Sequence, residues 1–344
     1  MAAGQVRSAE GDYDYIIVGA GTAGCIVANR LSADPDKRVL LLEGGGRDNW
    51  IWFHVPVGYL FAIGNPRSDW MFQTEAEAGL NGRSLGYPRG KVLGGSSAIN
   101  AMISMRGQAE DYRQWRRMGL EGWDWDDVLP VFPHFEDPFL GACEHHGAGG
   151  EWRIEAPRIQ WEILDAVGEA AEQMGVPRIP DFNTGENEGC SYFHVNQRKG
   201  WRWSAARGFL KPAMRRPNLR VETDVLVERV LFDGRRASGV RFSRAGETFD
   251  VQTRGEVILS AGSVGSAQLL QLSGIGPREW LDELNIPVVA DRAGVGRNLQ
   301  DHLQQRAIYK VHNVKTLNTI YHSLLGRAGT GSYTHLTLPT NYSV

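Results

Sequence analysis

The first strong pattern in the chain is a short apolar run that leads into a glycine turn. Ile16, Ile17 and Val18 follow one another directly before Gly19, and a short β-branched run is typical of a central parallel strand. The pattern then predicts a helix over residues 22–32, whose sheet-facing side carries Ile26, Val27 and Leu31. A second strand is expected over residues 38–43. This order of strand, turn, helix and strand predicts an α/β fold with a parallel sheet.

Further along the chain, apolar spacing predicts one more helix and a group of strands. The helix is expected over residues 162–174, with an apolar stripe of Ile163, Leu164, Val167, Ala170 and Ala171. Strands are expected over residues 219–231, 238–242 and 256–260, and the last of these enters a second glycine turn at residues 261–265. The run Gly147-Ala-Gly-Gly150 is expected to be a linker.

The first glycine turn has the spacing of a dinucleotide-binding loop. Gly19, Gly21 and Gly24 match G-x-G-x-x-G. The first glycine permits the tight turn, the second lets a pyrophosphate approach the backbone, and the third lets helix and strand pack closely. The first helical amides, at Thr22, Ala23 and Gly24, are then expected to face the phosphates, where the helix dipole favours negative charge.

An acid at the end of the second strand completes this pattern. Glu43 lies 19 positions after Gly24, where a carboxylate accepts hydrogen bonds from a ribose. A carboxylate at this place argues against a ribose 2′-phosphate and therefore against NADP. The pattern leaves NAD and FAD both open.

A second glycine-rich loop follows, Arg89-Gly-Lys-Val-Leu-Gly-Gly-Ser-Ser-Ala-Ile-Asn100. Its glycines, Gly95 among them, let the backbone pass close to a ligand, while Ser96 and Asn100 offer hydrogen-bond donors and acceptors. Arg89 and Lys91 could add positive charge near a diphosphate. In isolation the loop fits a glycine-rich surface loop equally well. Two such loops in one chain suggest a long ligand that is held at both ends.

Composition narrows the class of protein. The 344 residues are 42% hydrophobic and 22% charged, with a net charge of −3, so the chain has no strongly basic field for nucleic acid. Cys25, Cys143 and Cys190 are far apart and form no metal-like pair, and Cys25 is expected to be a buried thiol. We expect no metal site and no transmembrane segment, and we predict a cytoplasmic protein for which a peripheral membrane contact remains open.

Several separated blocks resemble the glucose–methanol–choline (GMC) family of flavin-dependent oxidoreductases, in the family's order. The resemblance covers about residues 13–302, and the bacterial choline- and alcohol-dehydrogenase branch is the most similar. The blocks that carry it are the first loop through Leu41-Leu-Glu43, Gly90 to Asn100, Met105 to Tyr112, Trp203-Ser-Ala-Ala206, Phe209-Leu-Lys-Pro212, Arg216 to Arg220, Leu259 to Gly276 and Val295-Gly-Arg-Asn-Leu-Gln-Asp-His302.

The resemblance implies FAD as the cofactor and assigns further residues to it. The first loop would hold the adenosine diphosphate half, and the second loop would run along the diphosphate and the flavin. The residues that would lie against the flavin half are Val92, Asn100, Ala101, Met102 and Ile103. Val225 would contact the adenine through its backbone, although its alternating strand fits plain sheet as well. Ile99 stands where some choline-oxidising relatives carry a histidine that tethers the flavin, which predicts noncovalent FAD.

The expected architecture is a discontinuous Rossmann-like FAD-binding domain with an inserted, incomplete α+β substrate domain. We expect residues 1–150 and 219–302 to form the FAD-binding domain and residues 151–218 to form part of the substrate domain. Residues 303–330 would begin a further substrate-domain segment. The ending, residues 331–344, carries no family motif and looks unrelated, as if the chain were truncated.

The activity implied by the resemblance is oxidation of a primary alcohol, either choline-like or aliphatic or aromatic, to an aldehyde by hydride transfer to flavin N5. The electron acceptor stays unassigned. The family's catalytic histidine segment lies beyond His302, so the catalytic residues are unknown here. A noncatalytic FAD-binding fragment is the alternative, and an NAD-linked dehydrogenase is a more distant one. His322 and His335 have no motif around them, and His145-His146 is expected to be a solvated pair.

Overall fold

The computed structural model describes residues 6–8, 11–158, 160–302 and 308–316. Within these ranges the strands are β1 (Arg7–Ser8), β2 (Tyr13–Val18), β3 (Val39–Leu42), β4 (Phe72–Gln73), β5 (Gly86–Tyr87), β6 (Glu136–Pro138), β7 (Trp152–Ile154), β8 (Gln197–Arg198), β9 (Trp201–Arg202), β10 (Leu219–Glu222), β11 (Leu226–Asp233), β12 (Arg236–Arg244), β13 (Glu247–Leu259), β14 (Ile275–Gly276) and β15 (Ala290–Asp291). The α-helices are α1 (Thr22–Leu31), α2 (Tyr59–Ala62), α3 (Ala109–Arg117), α4 (Trp125–Val128), α5 (Glu162–Gln173), α6 (Lys211–Ala213), α7 (Gly262–Leu272) and α8 (Arg278–Glu283).

The chain divides into two compact units, and each is discontinuous in sequence. The first unit contains the residues up to Trp50, Phe61–Ile99 and the described residues from Ser204 to His302. The second contains Ile51–Leu60, Asn100–Trp203 and the described residues 308–316. The divisions therefore fall near residues 100 and 203, and not at 150 and 218 as expected from the sequence. Local patterns mark where elements begin and end, whereas a division between units depends on which distant segments pack together.

The main sheet of the first unit joins a parallel half to an antiparallel half. Its strand order is β10-β3-β2-β13-β12-β11, and β1 pairs with the start of β13. The strands β10, β3, β2 and the end of β13 run parallel, while β11, β12 and the beginning of β13 form an antiparallel meander. The predicted parallel α/β arrangement is confirmed for the first half. The meander gives the sheet its mixed character.

The strand β13 serves both halves because it is irregular in the middle. Its register against β2 shifts between Thr253 and Glu256. The hydroxyl of Thr253 lies 2.9 Å from the carbonyl oxygen of Tyr13 and 3.0 Å from that of Asp14, and it accepts the N–H of Gly255 at 3.1 Å. A Cβ on Gly255 would lie 2.2 Å from the Asp14 carbonyl oxygen, so only glycine fits this irregularity. The expected strand over 256–260 is the end of this longer strand.

The break between β10 and β11 differs from the single strand expected over residues 219–231. At the break the chain leaves β10, and its backbone forms hydrogen bonds with the segment that follows β3. Asp224, with a φ of +59°, donates its N–H to the Gly45 carbonyl oxygen at 2.9 Å, and Val225 donates to the Glu43 carbonyl oxygen at 3.0 Å. These bonds to a distant loop replace the ladder, so the alternating pattern continues across a turn that interrupts the strand.

A buried ionic network holds the second unit together. The guanidinium of Arg106 pairs with Glu136, and His146 lies between two carboxylates, with Nδ1 2.9 Å from Glu136 Oε2 and Nε2 2.7 Å from Asp181 Oδ2. His194 Nδ1 lies 3.5 Å from Asp181 Oδ1. The expectation of a solvated histidine pair is therefore wrong for His146, which is only 3% exposed. Glu136 lies 10 positions before His146 and Asp181 lies 35 positions after it, so no single short motif contains the three residues.

The glycines expected to form a linker lie inside the second unit. They belong to the connection between β6 and β7, which pair in parallel. A Cβ on Gly147 would lie 1.9 Å from the Pro133 carbonyl oxygen, and one on Gly150 would lie 2.2 Å from the Phe135 carbonyl carbon. Close backbone packing, and not chain flexibility, accounts for these two glycines.

Candidate cofactor site

The first glycine loop adopts the strained geometry that its sequence predicts. Gly19 has a φ of +96° and donates its N–H to the Leu42 carbonyl oxygen at 2.7 Å, which ties the turn to β3. A Cβ on Gly19 would lie 2.6 Å from the Ser260 carbonyl oxygen, and one on Gly24 would lie 1.9 Å from the Gly19 carbonyl oxygen. Both glycines are required by the packing of strand, turn and helix.

Gly21 is different because it leaves open space above the turn. Its backbone is extended (φ −68°, ψ −166°), and among the described residues only the Ser260 carbonyl oxygen, at 3.7 Å, would lie within 4 Å of an added Cβ. The first helical bond of α1 runs from Cys25 N–H to the Gly21 carbonyl oxygen at 2.9 Å, so the amides of Thr22, Ala23 and Gly24 stand at the helix N-terminus. No side chain caps this end of α1. The geometry suits a phosphate group.

Glu43 lies directly after β3, beside the first loop. Its Oε2 accepts the N–H of Ala20 and its Oε1 accepts the N–H of Gly45, each at 2.7 Å. Burial raises the pKa of Glu43 to about 7, even though the two backbone donors favour the charged form. A carboxylate has about four acceptor positions, so both oxygens can still accept a further hydrogen bond. The residue is thus placed to hold the loop and to receive a hydroxyl group.

Cys25 lies one turn into α1, on the buried side of the helix. Its side chain is fully buried, and Sγ lies 3.2 Å from the Ala20 carbonyl oxygen. Burial raises the pKa of the Cys25 thiol well above its ordinary value. The predicted buried thiol is confirmed.

The second glycine loop packs directly on the first. Gly94 donates its N–H to the Ala20 carbonyl oxygen at 2.8 Å, and a Cβ on Gly95 would lie 2.8 Å from the Cα of Gly21. Gly94 and Gly95 both have positive φ values, +93° and +53°. The two loops therefore form one glycine-lined surface at the N-terminus of α1, within the first unit. The sequence predicted two loops for one ligand but could not show that their backbones touch.

The other residues assigned to the second loop have distinct environments. Val92 is buried, and the next residue, Leu93, donates its N–H to the Gly46 carbonyl oxygen. Ser96 is exposed, and its hydroxyl accepts the N–H of Gly90 at 3.1 Å. The guanidinium carbon of Arg89 lies 3.9 Å from the centre of the Tyr87 ring, and its Nη1 donates to the Pro88 carbonyl oxygen at 2.7 Å. Arg89 is thus engaged locally.

Val225 lies at the sheet break, beside the segment that follows β3. Its side chain is buried in the main core, and its N–H is used by the Glu43 carbonyl oxygen. A contact between the Val225 backbone and an adenine remains a prediction.

The remaining predicted residues, Asn100 to Ile103, belong to the second unit. Asn100 is exposed, and its Oδ1 accepts the N–H of Met102 at 3.0 Å and Nη1 of Arg202 at 2.9 Å. Met102 is buried with a φ of +65°, Ala101 is half-buried, and Ile103 is bridged to Val195. Arg202 was missed by the sequence reasoning, although it directly precedes the Trp203-Ser-Ala-Ala206 block. Contact between residues 100–103 and a flavin stays a prediction.

Comparison with known sequences decides the family. The sequence profile described as GMC oxidoreductase matches residues 13–304. The chain belongs to the GMC oxidoreductase family. The GMC-type FAD-binding fold implied by the resemblance is confirmed, and membership of the GMC family implies FAD as the cofactor.

Individual relatives give the same assignment. Human mitochondrial choline dehydrogenase is 44% identical over 301 residues, which is 85% of this chain and 50% of that protein. An alcohol dehydrogenase (acceptor) of Pseudomonas putida is 44% identical over 294 residues, 85% of this chain and 53% of that protein. The crystal structure of pyridoxine 4-oxidase from Mesorbium loti matches with a TM-score of 0.81 at 37% identity, covering 85% of this chain and 57% of that one.

The chain spans about half the length of the curated relatives that it matches. The GMC family is one of enzymes, which agrees with the predicted oxidoreductase class. His322 and His335, together with residues 317–344, lie outside the residues that the structure describes. In the part of the chain that is described, no helix is both long enough and apolar enough to cross a bilayer.

Proposed function

We propose that this chain binds FAD noncovalently and belongs to an enzyme that oxidises a primary alcohol to an aldehyde. Bound FAD would supply the redox chemistry by accepting a hydride at flavin N5. The observation that carries the proposal is the glycine-lined surface, where Gly95 packs on Gly21 at the uncapped N-terminus of α1. The substrate class follows from the relatives, whose names specify choline, alcohol and pyridoxine.

The residues of the first unit have separate tasks in this proposal. The amides of Thr22, Ala23 and Gly24 would bind the diphosphate, because they stand at the positive end of the α1 dipole. Gly21 would let the diphosphate reach them, since no side chain fills the space above it. Glu43 would accept a ribose hydroxyl with an oxygen that already holds the loop. The cofactor would thus be recognised by backbone donors and one buried acid.

The noncovalent character rests on Ile99. This side chain is 2% exposed and purely aliphatic, so it has no atom that could form a bond to a flavin. Denaturation of the protein should therefore release FAD as an unmodified, free molecule.

The first test is the visible absorption spectrum of the purified 344-residue chain. We expect a flavin spectrum, and acid precipitation should release free FAD into the supernatant while the protein pellet becomes colourless. A pellet that keeps the flavin would contradict noncovalent binding. A colourless protein, even after incubation with excess FAD, would contradict the proposal for this chain.

A single substitution tests the location of the site. Gly21→Ala adds a methyl group into open space on an extended backbone, so the thermal unfolding temperature should stay close to that of the wild type. The same methyl group blocks the approach of a diphosphate, and FAD affinity should fall at least ~10-fold, or about 1.4 kcal/mol. Gly79→Ala is the matched control, because no atom of the described residues lies within 4 Å of an added Cβ there. Equal FAD affinity in the two variants would place the diphosphate elsewhere.

A further inference from the structure

Arg202 is a completely buried cation in the second unit. It lies at the end of β9, where its backbone N–H is accepted by the His54 carbonyl oxygen at 2.8 Å. Its guanidinium donates from Nη1 to Asn100 Oδ1 at 2.9 Å and from Nη2 to the Pro56 carbonyl oxygen at 3.3 Å. Burial lowers the pKa of Arg202 to about 9, so the group stays cationic at neutral pH. A fully buried charge needs a reason, because its desolvation is expensive.

The contacts of Asn100 fix the orientation of its side-chain amide. Oδ1 receives two donors, Nη1 of Arg202 and the N–H of Met102. Neither donor can accept a hydrogen bond, so the amide cannot be turned over without placing its NH₂ group against two other donors. The NH₂ group of Asn100 therefore points away from the buried guanidinium, on a residue that is exposed. Asn100 is held as an outward hydrogen-bond donor.

The backbone beside Asn100 is held in an unfavourable conformation. Met102 has a φ of +65°, which costs a residue with a side chain on the order of 1 kcal/mol or more. Its carbonyl oxygen accepts the N–H of Asn196 at 2.8 Å, and its side chain is buried beside Gln197. Strained backbone of this kind persists only where its surroundings enforce it, and such sites are often functional.

We propose that Arg202 is a positioning residue that holds Asn100 as an outward amide donor and polarises that donor with its buried charge. This inference rests on the proposed function, in which FAD is the bound cofactor. A positive charge in a medium of low polarity strengthens the hydrogen bonds that its partner donates. Arg202 would thereby favour the reduced, more electron-rich state of the flavin through Asn100.

The test compares three arginine variants of the complete chain loaded with FAD. The readout is the equilibrium between oxidised and two-electron-reduced flavin, measured against a redox dye of known potential. Arg202→Met should shift this equilibrium ~10-fold towards the oxidised form, a fall of about 30 mV. Arg202→Lys retains the charge and should recover part of the shift. Arg198→Met removes an exposed arginine from the same β8–β9 hairpin and should leave the equilibrium unchanged.

A second measurement tests the contact between Arg202 and Asn100 without any flavin. A double-mutant cycle of Arg202→Lys and Asn100→Ala on urea unfolding of the unloaded chain should show a coupling of ~10-fold, or about 1.4 kcal/mol. Lysine is used because it retains the buried charge and removes Nη1, the atom that contacts Asn100. Zero coupling overturns the positioning role.

The two failures can be told apart. A wild-type chain that holds no FAD contradicts the proposed function, and the cycle then decides the Arg202–Asn100 contact alone. A wild-type chain that holds FAD, combined with an Arg202→Met variant that behaves like Arg198→Met, overturns this inference and leaves the proposed function standing.

Discussion

At the scale of single residues, Glu43 shows how one carboxylate can hold a glycine loop in shape. The sequence predicted an acid for a ribose, and the structure adds that each of its oxygens accepts a backbone amide, from Ala20 and from Gly45. These bonds are charge-assisted when Glu43 is ionised, yet burial raises the pKa of Glu43 to about 7. Glu43 therefore holds the loop in place, but its ionisation lowers the stability of the folded state.

This raised pKa predicts a pH-dependent stability. A carboxyl group with a higher pKa in the folded state contributes stability below its unfolded pKa of about 4.5, and that contribution is lost as the pH rises through about 7. The loss should amount to about 3 kcal/mol, from 1.36 kcal/mol for each pKa unit. We expect the unfolding free energy of the wild type minus that of Glu43→Gln to fall by this order between pH 5 and pH 8. Urea titrations of the FAD-free chain at several pH values measure it.

The control for this prediction is Glu256→Gln, which makes the same chemical change at an exposed position on β13. The difference in unfolding free energy between the wild type and Glu256→Gln should stay constant over the same pH range. If the difference in unfolding free energy between the wild type and Glu43→Gln also stayed constant, burial would not disfavour the ionised form of Glu43.

At the scale of elements, the dual role of β13 could not be read from its sequence. The strand was expected over residues 256–260, and it begins at Glu247 instead. The first part of the strand alternates apolar and polar residues from Phe249 to Gln252, but most of its side chains are only partly buried. Its extended form comes from pairing with β12 and β1, which are contributed by other segments. The helices α1 and α5 were predicted to within one residue at their ends.

The irregularity in β13 predicts a specific dependence on Thr253. Thr253→Val keeps the shape of the side chain and removes the hydroxyl that serves Tyr13, Asp14 and Gly255. Buried backbone groups would then lack a partner, and the unfolding free energy should fall by about 1–3 kcal/mol. Chemical denaturation measures the loss. Thr248→Val, in the same strand, should change the stability by less than about 0.5 kcal/mol, and equal losses in the two variants would show that the hydroxyl at the irregularity has no special role.

At the scale of the whole chain, each unit contains a buried ionisable group with a raised pKa. In the second unit the hydrogen bonds from His146 to Asp181 and Glu136 raise the pKa of His146 to about 9, in spite of its burial. The same histidine helps to lower the pKa of Asp181 to about 2, although burial acts in the opposite direction. A histidine with a raised pKa stabilises the fold below its unfolded pKa of about 6.5, and this is lost as the pH rises through about 9.

The two units should therefore lose stability in successive pH ranges. Hydrogen-exchange protection, corrected for intrinsic rates, should fall in the first unit around Glu43 between pH 5 and 7, and in the second unit around His146 between pH 7 and 9. Each change should reach about 3 kcal/mol. His146→Gln should abolish the second change, whereas His134→Gln, at an exposed position, should retain it. A fall in both units over one common pH range would contradict the assignment of the two groups.

The sequence by itself determined the first glycine turn, helix α1, the acid at Glu43 and the GMC family. These features lie within about 30 consecutive residues or in contiguous motifs, and short-range steric and hydrogen-bonding rules specify them. Tertiary structure alone decided which distant segments meet, such as Gly95 on Gly21, Asp181 on His146 and Arg202 on Asn100, a pair that is 102 positions apart. Such contacts depend on how whole elements pack against one another, and no local pattern of residues encodes that packing.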